Sequence, residues 1–263
     1  ILGQITTKIM KVYGIIIILY LALPLLMLTI LSFNSLEFFV LPIKDPTLNW
    51  YRSLLDNGML HKAIKNSLYT ATFVTIISLP LATMAAYAMA RFNLRGMNLV
   101  YGLLMLPLIS PAILLGVSTL TWFSYLQIPL SLNTVIVGQI TVYLPFITLI
   151  LSSGIYGINP SLIEASKDLG SNNLQTFRKI TLPLIRDSLV AAGFFAFILS
   201  FNDFYITAFL TGASSYTLQI FLWSSFYFGI KPDMAALSTI LMIVYIIILL
   251  GISKLIDLET LFP

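Results

Sequence analysis

Residues 96–163 read GMNLVYGLLMLPLISPAILLGVSTLTWFSYLQIPLSLNTVIVGQITVYLPFITLILSSGIYGINPSLI, a run of 68 positions without one Asp, Glu, Lys or Arg. A membrane-spanning helix takes about 20 mostly apolar residues, so this run holds two spans joined by a short uncharged turn. Its apolar residues are continuous rather than alternating. That suits helices, which satisfy their own backbone in lipid, and disfavours a barrel.

Outward from this stretch the charges stay sparse. None falls between Lys11 and Glu37 or between Lys65 and Arg91, and Asp233 and Lys254 bracket another 20 uncharged positions. Ser188 to Leu210 adds a span interrupted by one acid, Asp203. The expectation is an all-α polytopic membrane protein, one membrane domain over 1–263, with six spans near 12–34, 66–90, 97–126, 133–157, 188–210 and 234–254. The whole chain is 59% hydrophobic and 9% charged, with a mean hydropathy of +0.97. A soluble domain carries about a quarter charged residues, so a soluble enzyme or nucleic-acid binder is excluded.

Lys and Arg near the spans set the orientation. With the N-terminus in the cytoplasm, Lys8, Lys11, Arg91, Arg95, Lys167, Arg178, Lys179, Arg186 and Lys254 lie inside, against Lys44, Arg52, Lys62, Lys65 and Lys231 outside. Both termini are therefore expected in the cytoplasm. The net charge of +4 is this inner-face bias and calls for no nucleic-acid partner. The first span is longer than a signal-peptide core and has no small-residue cleavage site, so it is expected to be retained. The chain starts at Ile1 rather than a methionine, and further N-terminal residues are expected ahead of it.

The chain has no cysteine and one histidine, His61, in a polar stretch. Thiolate chemistry and a multi-histidine metal site are thereby excluded, and His61 reads as a loop residue. Trp50-Tyr51, after Pro42 and Pro46, reads as an interfacial anchor. Ala82, Ala86 and Ala90 give the second span a small-residue packing seam. Pro107, Pro111 and Pro145 predict kinks.

One substantial cytoplasmic loop, 159–187, separates the fourth and fifth spans. Ser161 with Glu164 three residues on forms a capping-box pattern, and Gly170 is placed to end the helix in a left-handed turn. Leu162, Ala165, Ser166 and Leu169 fall on one face of it. A second helix is expected from Leu174 to Thr181, stopped at Pro183. Two short helices at a sharp bend then show a small-residue, apolar surface to the cytoplasm, for docking a partner or for packing under the membrane domain.

Glu164-Ala165-Ser166, Gly170 three residues further on, then Ile180, Leu182 and Pro183, resembles the EAA loop of ABC importer permeases. That loop runs E-A-A, three residues, G, nine residues, I-x-L-P; only Ser166, for the second alanine, departs. Asn49-Trp50-Tyr51, Asn66-Ser67-Leu68, Leu106-Pro107, Ser110-Pro111 and Leu199-Ser-Phe-Asn-Asp203 extend the resemblance to the spermidine/putrescine branch, which also handles phosphonate- and opine-type solutes. Within that branch the chain is more similar to the second permease subunit. The resemblance implies a type I importer permease in a prokaryotic inner membrane, with the loop as a coupling helix seated on an ATPase. It also implies a second, related permease, two ATPase subunits and an extracytoplasmic substrate-binding protein. No Walker A pattern occurs, so no cofactor is expected in this chain, and ATP and Mg belong to the ATPase subunits.

Asp203 is the one acid inside a span, and such acids are costly in lipid. With Asn202 it is expected either to line the path and favour a cation such as a polyamine ammonium, or to bond neighbours such as Tyr205 or Thr207. Trp122, Tyr125 and Trp223 offer aromatic faces for a cation. Polyamine permeases of this kind tend to carry an acid after the Ser-Pro of the third span, where Ala112 stands here, which leaves open a zwitterionic or anionic solute such as an aminophosphonate or opine. A secondary transporter or channel would show coupling-ion carboxylates or repeated halves, and a membrane enzyme a cluster of His, Asp, Glu or Cys; neither pattern is in the sequence.

Overall fold

The computed structural model describes residues 2–36, 43, 45–92, 95–212, 215–227 and 231–253. Glu37, Pro42, Lys44 and Lys254, used above, lie outside the described residues. The described residues are helical, with no strand among them. In order they form α1 (Leu2–Leu31), α2 (Asn49–Leu55), α3 (Gly58–Arg91), α4 (Met97–Ile109), α5 (Ala112–Tyr125), α6 (Leu132–Tyr156) and α7 (Pro160–Asp168). Then come α8 (Asn173–Thr176), a π-helical turn (Phe177–Thr181), α9 (Leu182–Leu184), α10 (Arg186–Phe201), α11 (Tyr205–Leu210), α12 (Leu218–Tyr227) and α13 (Pro232–Ser253).

Among the described residues three helices are long and apolar enough to cross a membrane: Met10–Leu31, Gly58–Arg91 and Leu132–Tyr156. The number rises to five if each of two bent pairs is one span, and Pro232–Ile248 is a shorter apolar helix. The expected span 97–126 is thus not one helix: α4 and α5 meet at 108°. The residue before a proline is driven out of the α region, and Ser110 is accordingly extended at φ −85°, ψ 137° ahead of Pro111. The expected span 188–210 is also divided, since α10 ends at Phe201 and α11 starts at Tyr205. Pro107 and Pro145, by contrast, lie inside α4 and α6.

The chain divides into two compact units, 1–58 with 222–263, and 59–221. In the first, α13 packs on α1 and on α2. Trp50 Nε1 donates to the Asn34 carbonyl at 2.7 Å, and the Tyr51 and Ser32 hydroxyls lie 2.6 Å apart. Trp50 and Tyr51, expected as membrane-surface anchors, therefore tie α2 to the chain just past α1.

In the second unit the alanine seam turns inward. Ala82 and Ala86 of α3, Ile147, Leu151 and Ile155 of α6, and Ala192 and Ala196 of α10 form one buried cluster, with Ala90 partly buried against it. Small side chains let the helices approach closely, which substitutes for the hydrophobic drive that lipid removes.

Candidate functional site: the elbow at 159–185 and the break after α10

The elbow of residues 159–185 is built from local chemistry. Asn159 caps α7, its Oδ1 accepting from the Ser161 backbone N–H at 3.1 Å and the Ser161 hydroxyl at 2.9 Å. With Pro160 at the first helical position, the start lies two residues ahead of the expected Ser161 cap. An Asn-Pro pair supplies a capping oxygen and a pre-set φ together, which leaves Glu164 exposed in mid-helix. Gly170 ends the turn at φ +83°, as its position implied. Asn172 and Gln175 then cap α8 reciprocally, at 2.8 and 2.9 Å.

Pro183 does not stop the second helix. Widening of the chain into a π turn lets the Leu182 N–H bond the Phe177 carbonyl, and Pro183 falls in the first turn of α9, where its missing donor costs nothing. The 73° bend comes later, between Leu184 and Arg186.

Ile163 is buried with Ile158 and Ile185. That turns the adjoining edge of α7 inward and takes Ser166 with it, to 5% exposure. Ser166 is therefore not on the exposed face with Leu162, Ala165 and Leu169 as its spacing implied. Its hydroxyl lies 3.0 Å from that of Thr176. Outward stand Glu164, Ala165, Leu162, Leu174 and Leu169, the last 87% exposed. Leu182 and Pro183 are exposed and Ile180 is half-buried. The elbow is an apolar knob with a charged flank.

The second feature is the break between α10 and α11. Asp203 is buried at 6% exposure, and five donors reach its carboxylate. Oδ1 accepts from the Tyr143 hydroxyl at 2.6 Å and the Ile206 N–H at 3.4 Å. Oδ2 accepts from Gln139 Nε2 at 3.0 Å, the Thr207 N–H at 2.8 Å and the Thr207 hydroxyl at 2.7 Å. The Ser200 hydroxyl in turn donates to Gln139 Oε1. Hydrogen bonds from such a set of donors offset the cost of taking a carboxyl group out of water.

The Asp203 oxygens are thus taken up by donors on α6 and α11, Thr207 among them. Asn202 points the other way: it is exposed, and its Oδ1 accepts from Gln219 Nε2 at 3.2 Å. Trp122 and Tyr125 stack at 6.2 Å between centroids on the exposed side of α5. Trp223 is 59% exposed on α12 in the other unit. Gln139, Tyr143 and Ser200 were missed by the sequence reading. The available signal was the four-residue spacing of Gln139 and Tyr143, which puts both on one face of α6.

The far end of α11 is held too. The Thr134 hydroxyl donates to the Leu210 carbonyl at 2.8 Å. A Cβ on Gly138 would collide with Leu210, and one on Gly116 with Phe209 and, at 3.2 Å, the Tyr205 carbonyl. Glycine at these positions lets α11 sit directly on α5 and α6. Among the described residues no group of three or more His, Cys, Asp or Glu is arranged to hold a metal.

Bent, broken helices thus surround a buried polar network, and an apolar elbow stands at 159–185. The family model for the inner membrane component of binding-protein-dependent transport systems matches residues 78–258, and the chain belongs to that family. It is 32% identical to the spermidine/putrescine transport system permease protein PotC of Escherichia coli (strain K12), over 88% of each chain. It is 30% identical to the putrescine transport system permease protein PotI of the same strain, over 85% of this chain and 82% of that one. Its fold matches the crystal structure of a bacterial ABC transporter involved in the import of the acidic polysaccharide alginate. The TM-score is 0.73 at 18% identity, over 95% of this chain and 96% of that chain. The protein is a membrane permease subunit of an ABC importer, with the type I permease fold.

Proposed function

We propose that this subunit forms half of a path for a polyamine, driven by ATPase subunits that grip the elbow at 159–187. The observation that carries the docking is Leu169, 87% exposed beside exposed Glu164 and Ala165 on a helix whose other face is buried. An apolar side chain presented to water this way fits a partner's pocket. In this reading Glu164, Ala165, Leu182 and Pro183 meet the ATPase, while Gly170, Ser166 and Ile180 shape the elbow. The termini face the cytoplasm. The chain itself carries no cofactor; ATP and Mg act on two ATPase subunits, a second related permease completes the path, and an extracytoplasmic binding protein delivers the solute. The solute class rests on the names of the PotC and PotI relatives.

Asn202 is the path residue of choice at the break, with Asp203 acting through it by fixing the chain on either side. Trp122, Tyr125 and Trp223 supply aromatic faces on which an ammonium group rests. One observation favours a second solute class: Asp203 is fully engaged and Ala112 is uncharged, which leaves these positions without a free carboxylate. A zwitterion such as an aminophosphonate or opine then passes as readily as a dication.

Two measurements test these readings. Co-expression with the ATPase should yield a complex that Glu164→Lys disrupts, and an active chain that moves solute without ATP would overturn it. Titration of the cognate binding protein with putrescine, spermidine, an aminophosphonate and amino acids decides the solute; tight binding only to non-polyamines would overturn the polyamine reading.

A further inference from the structure

The Ser166–Thr176 pair joins α7 to α8 by the only side-chain hydrogen bond between them among the described residues. Both side chains are buried, at 5% and 1% exposure. The Ser166 carbonyl also accepts from the Ser171 N–H at 3.1 Å. One residue is thus bonded forward across the bend by its backbone and by its side chain. The apex between them is Gly170 at φ +83°, with nothing within 4 Å of where a Cβ would stand. An open glycine apex is a compliant joint.

We infer that Ser166 is a positioning residue for coupling: its bond to Thr176 locks the joint, so that α7 and α8 move as one body when the ATPase pulls on them. An alanine at 166, as in the EAA pattern, fills the space but makes no such bond. With the lock open, α7 can follow the ATPase while α8 and the π turn lag, and ATP hydrolysis runs without moving α10. The inference rests on the elbow being the ATPase dock.

The expected signature follows from hydrogen-bond energetics. Removing one partner strands a buried hydroxyl, whereas replacing both with apolar groups of similar shape is nearly neutral. Ser166→Ala and Thr176→Val should each open the lock. The double apolar variant regains stability but still lacks the bond and should stay open, whereas the exchange Ser166→Thr with Thr176→Ser keeps both hydroxyls and should stay locked. The chain has no cysteine, so spin labels attached at Leu162→Cys and Leu174→Cys before assembly report the α7–α8 distance without background from this chain. In the assembled complex, each single variant should keep basal ATP hydrolysis and ATPase affinity within about twofold. Each should also broaden the label distance and lower putrescine moved per ATP by about three- to tenfold; the double apolar variant should do the same, and the hydroxyl exchange should return both toward wild type.

Single variants with the wild-type distance distribution overturn the inference, as does a double apolar variant that returns to wild type. The distance measurement decides even where putrescine is not carried. A wild-type chain that captures no ATPase counts against the dock, and one that hydrolyses ATP without moving putrescine counts against the polyamine reading.

Discussion

Gln139 Nε2 lies 3.0 Å from Asp203 Oδ2 although 64 positions separate the two residues, and neither is more than 6% exposed. This bond fixes the break after α10 to the middle of α6. It makes Asp203 part of the scaffold that holds the break.

Asp203→Asn should therefore act on stability first. Its new amide hydrogens would face donors, leaving buried groups unpaired, at a cost of about 2–4 kcal/mol. Tyr143→Phe removes one donor and should cost about 1 kcal/mol. Thermal unfolding of the purified protein followed by tryptophan fluorescence checks both. A normal melting curve for Asp203→Asn with a large rise in the KM for uptake would return the residue to the path.

The glycines under α11 should separate sharply from those elsewhere. Gly138→Ala meets Leu210 and Ile206, and Gly212→Ala meets the Leu130 carbonyl, 2.5 Å from the added carbon. Overpacking of this kind costs about 1–3 kcal/mol. Gly102→Ala in α4 has open space and should be silent or slightly stabilising. Expression yield and melting temperature of the three variants give the comparison, and equal values would mean that α11 is not held as described.

Gly170→Ala is a different case, since its neighbourhood is open and only the backbone objects. A left-handed residue with a Cβ costs about 1–2 kcal/mol. The effect should stay local: faster hydrogen exchange at Leu169, Gly170 and Ser171, weaker ATPase capture, and little change in global melting. Unchanged exchange at these amides would argue against the left-handed turn.

Leu169→Asp alters a side chain that is already 87% in solvent. Stability should stay within about 0.5 kcal/mol, while ATPase capture falls by about tenfold or more if the leucine is an anchor. Co-elution over a concentration series measures this. Full capture by the variant would move the dock away from α7.

The sequence told some of this plainly. Charge-free runs located the long helices because lipid tolerates few ions, and Gly170 announced its turn because few other residues adopt positive φ. Asp203 stood out as an acid in an apolar segment. Its partners did not, because Gln139 and Tyr143 are uncharged and lie 64 and 60 positions away, where no local pattern points to them. Hydropathy also runs unbroken through Ser110, so the proline announced a kink without its size. In the elbow, Asn159 outcompeted Ser161 as a cap, and the π turn absorbed Pro183. Ser166 changed faces because Ile163 next to it found a buried cluster.

The 108° break at Ser110-Pro111 also bears on how the chain is made. Helices α4 and α5 have 13 and 14 residues, about 20 Å each at helical rise, against about 30 Å of hydrocarbon. Neither half can settle across a bilayer by itself, and the surface on which α5 rests, α11, is synthesised some 80 residues later. The nascent chain must therefore emerge past Leu210 before α5, which meets α6 earlier, gains its larger contact surface on α11. Until then the bent pair holds only the part of its packing that α6 supplies.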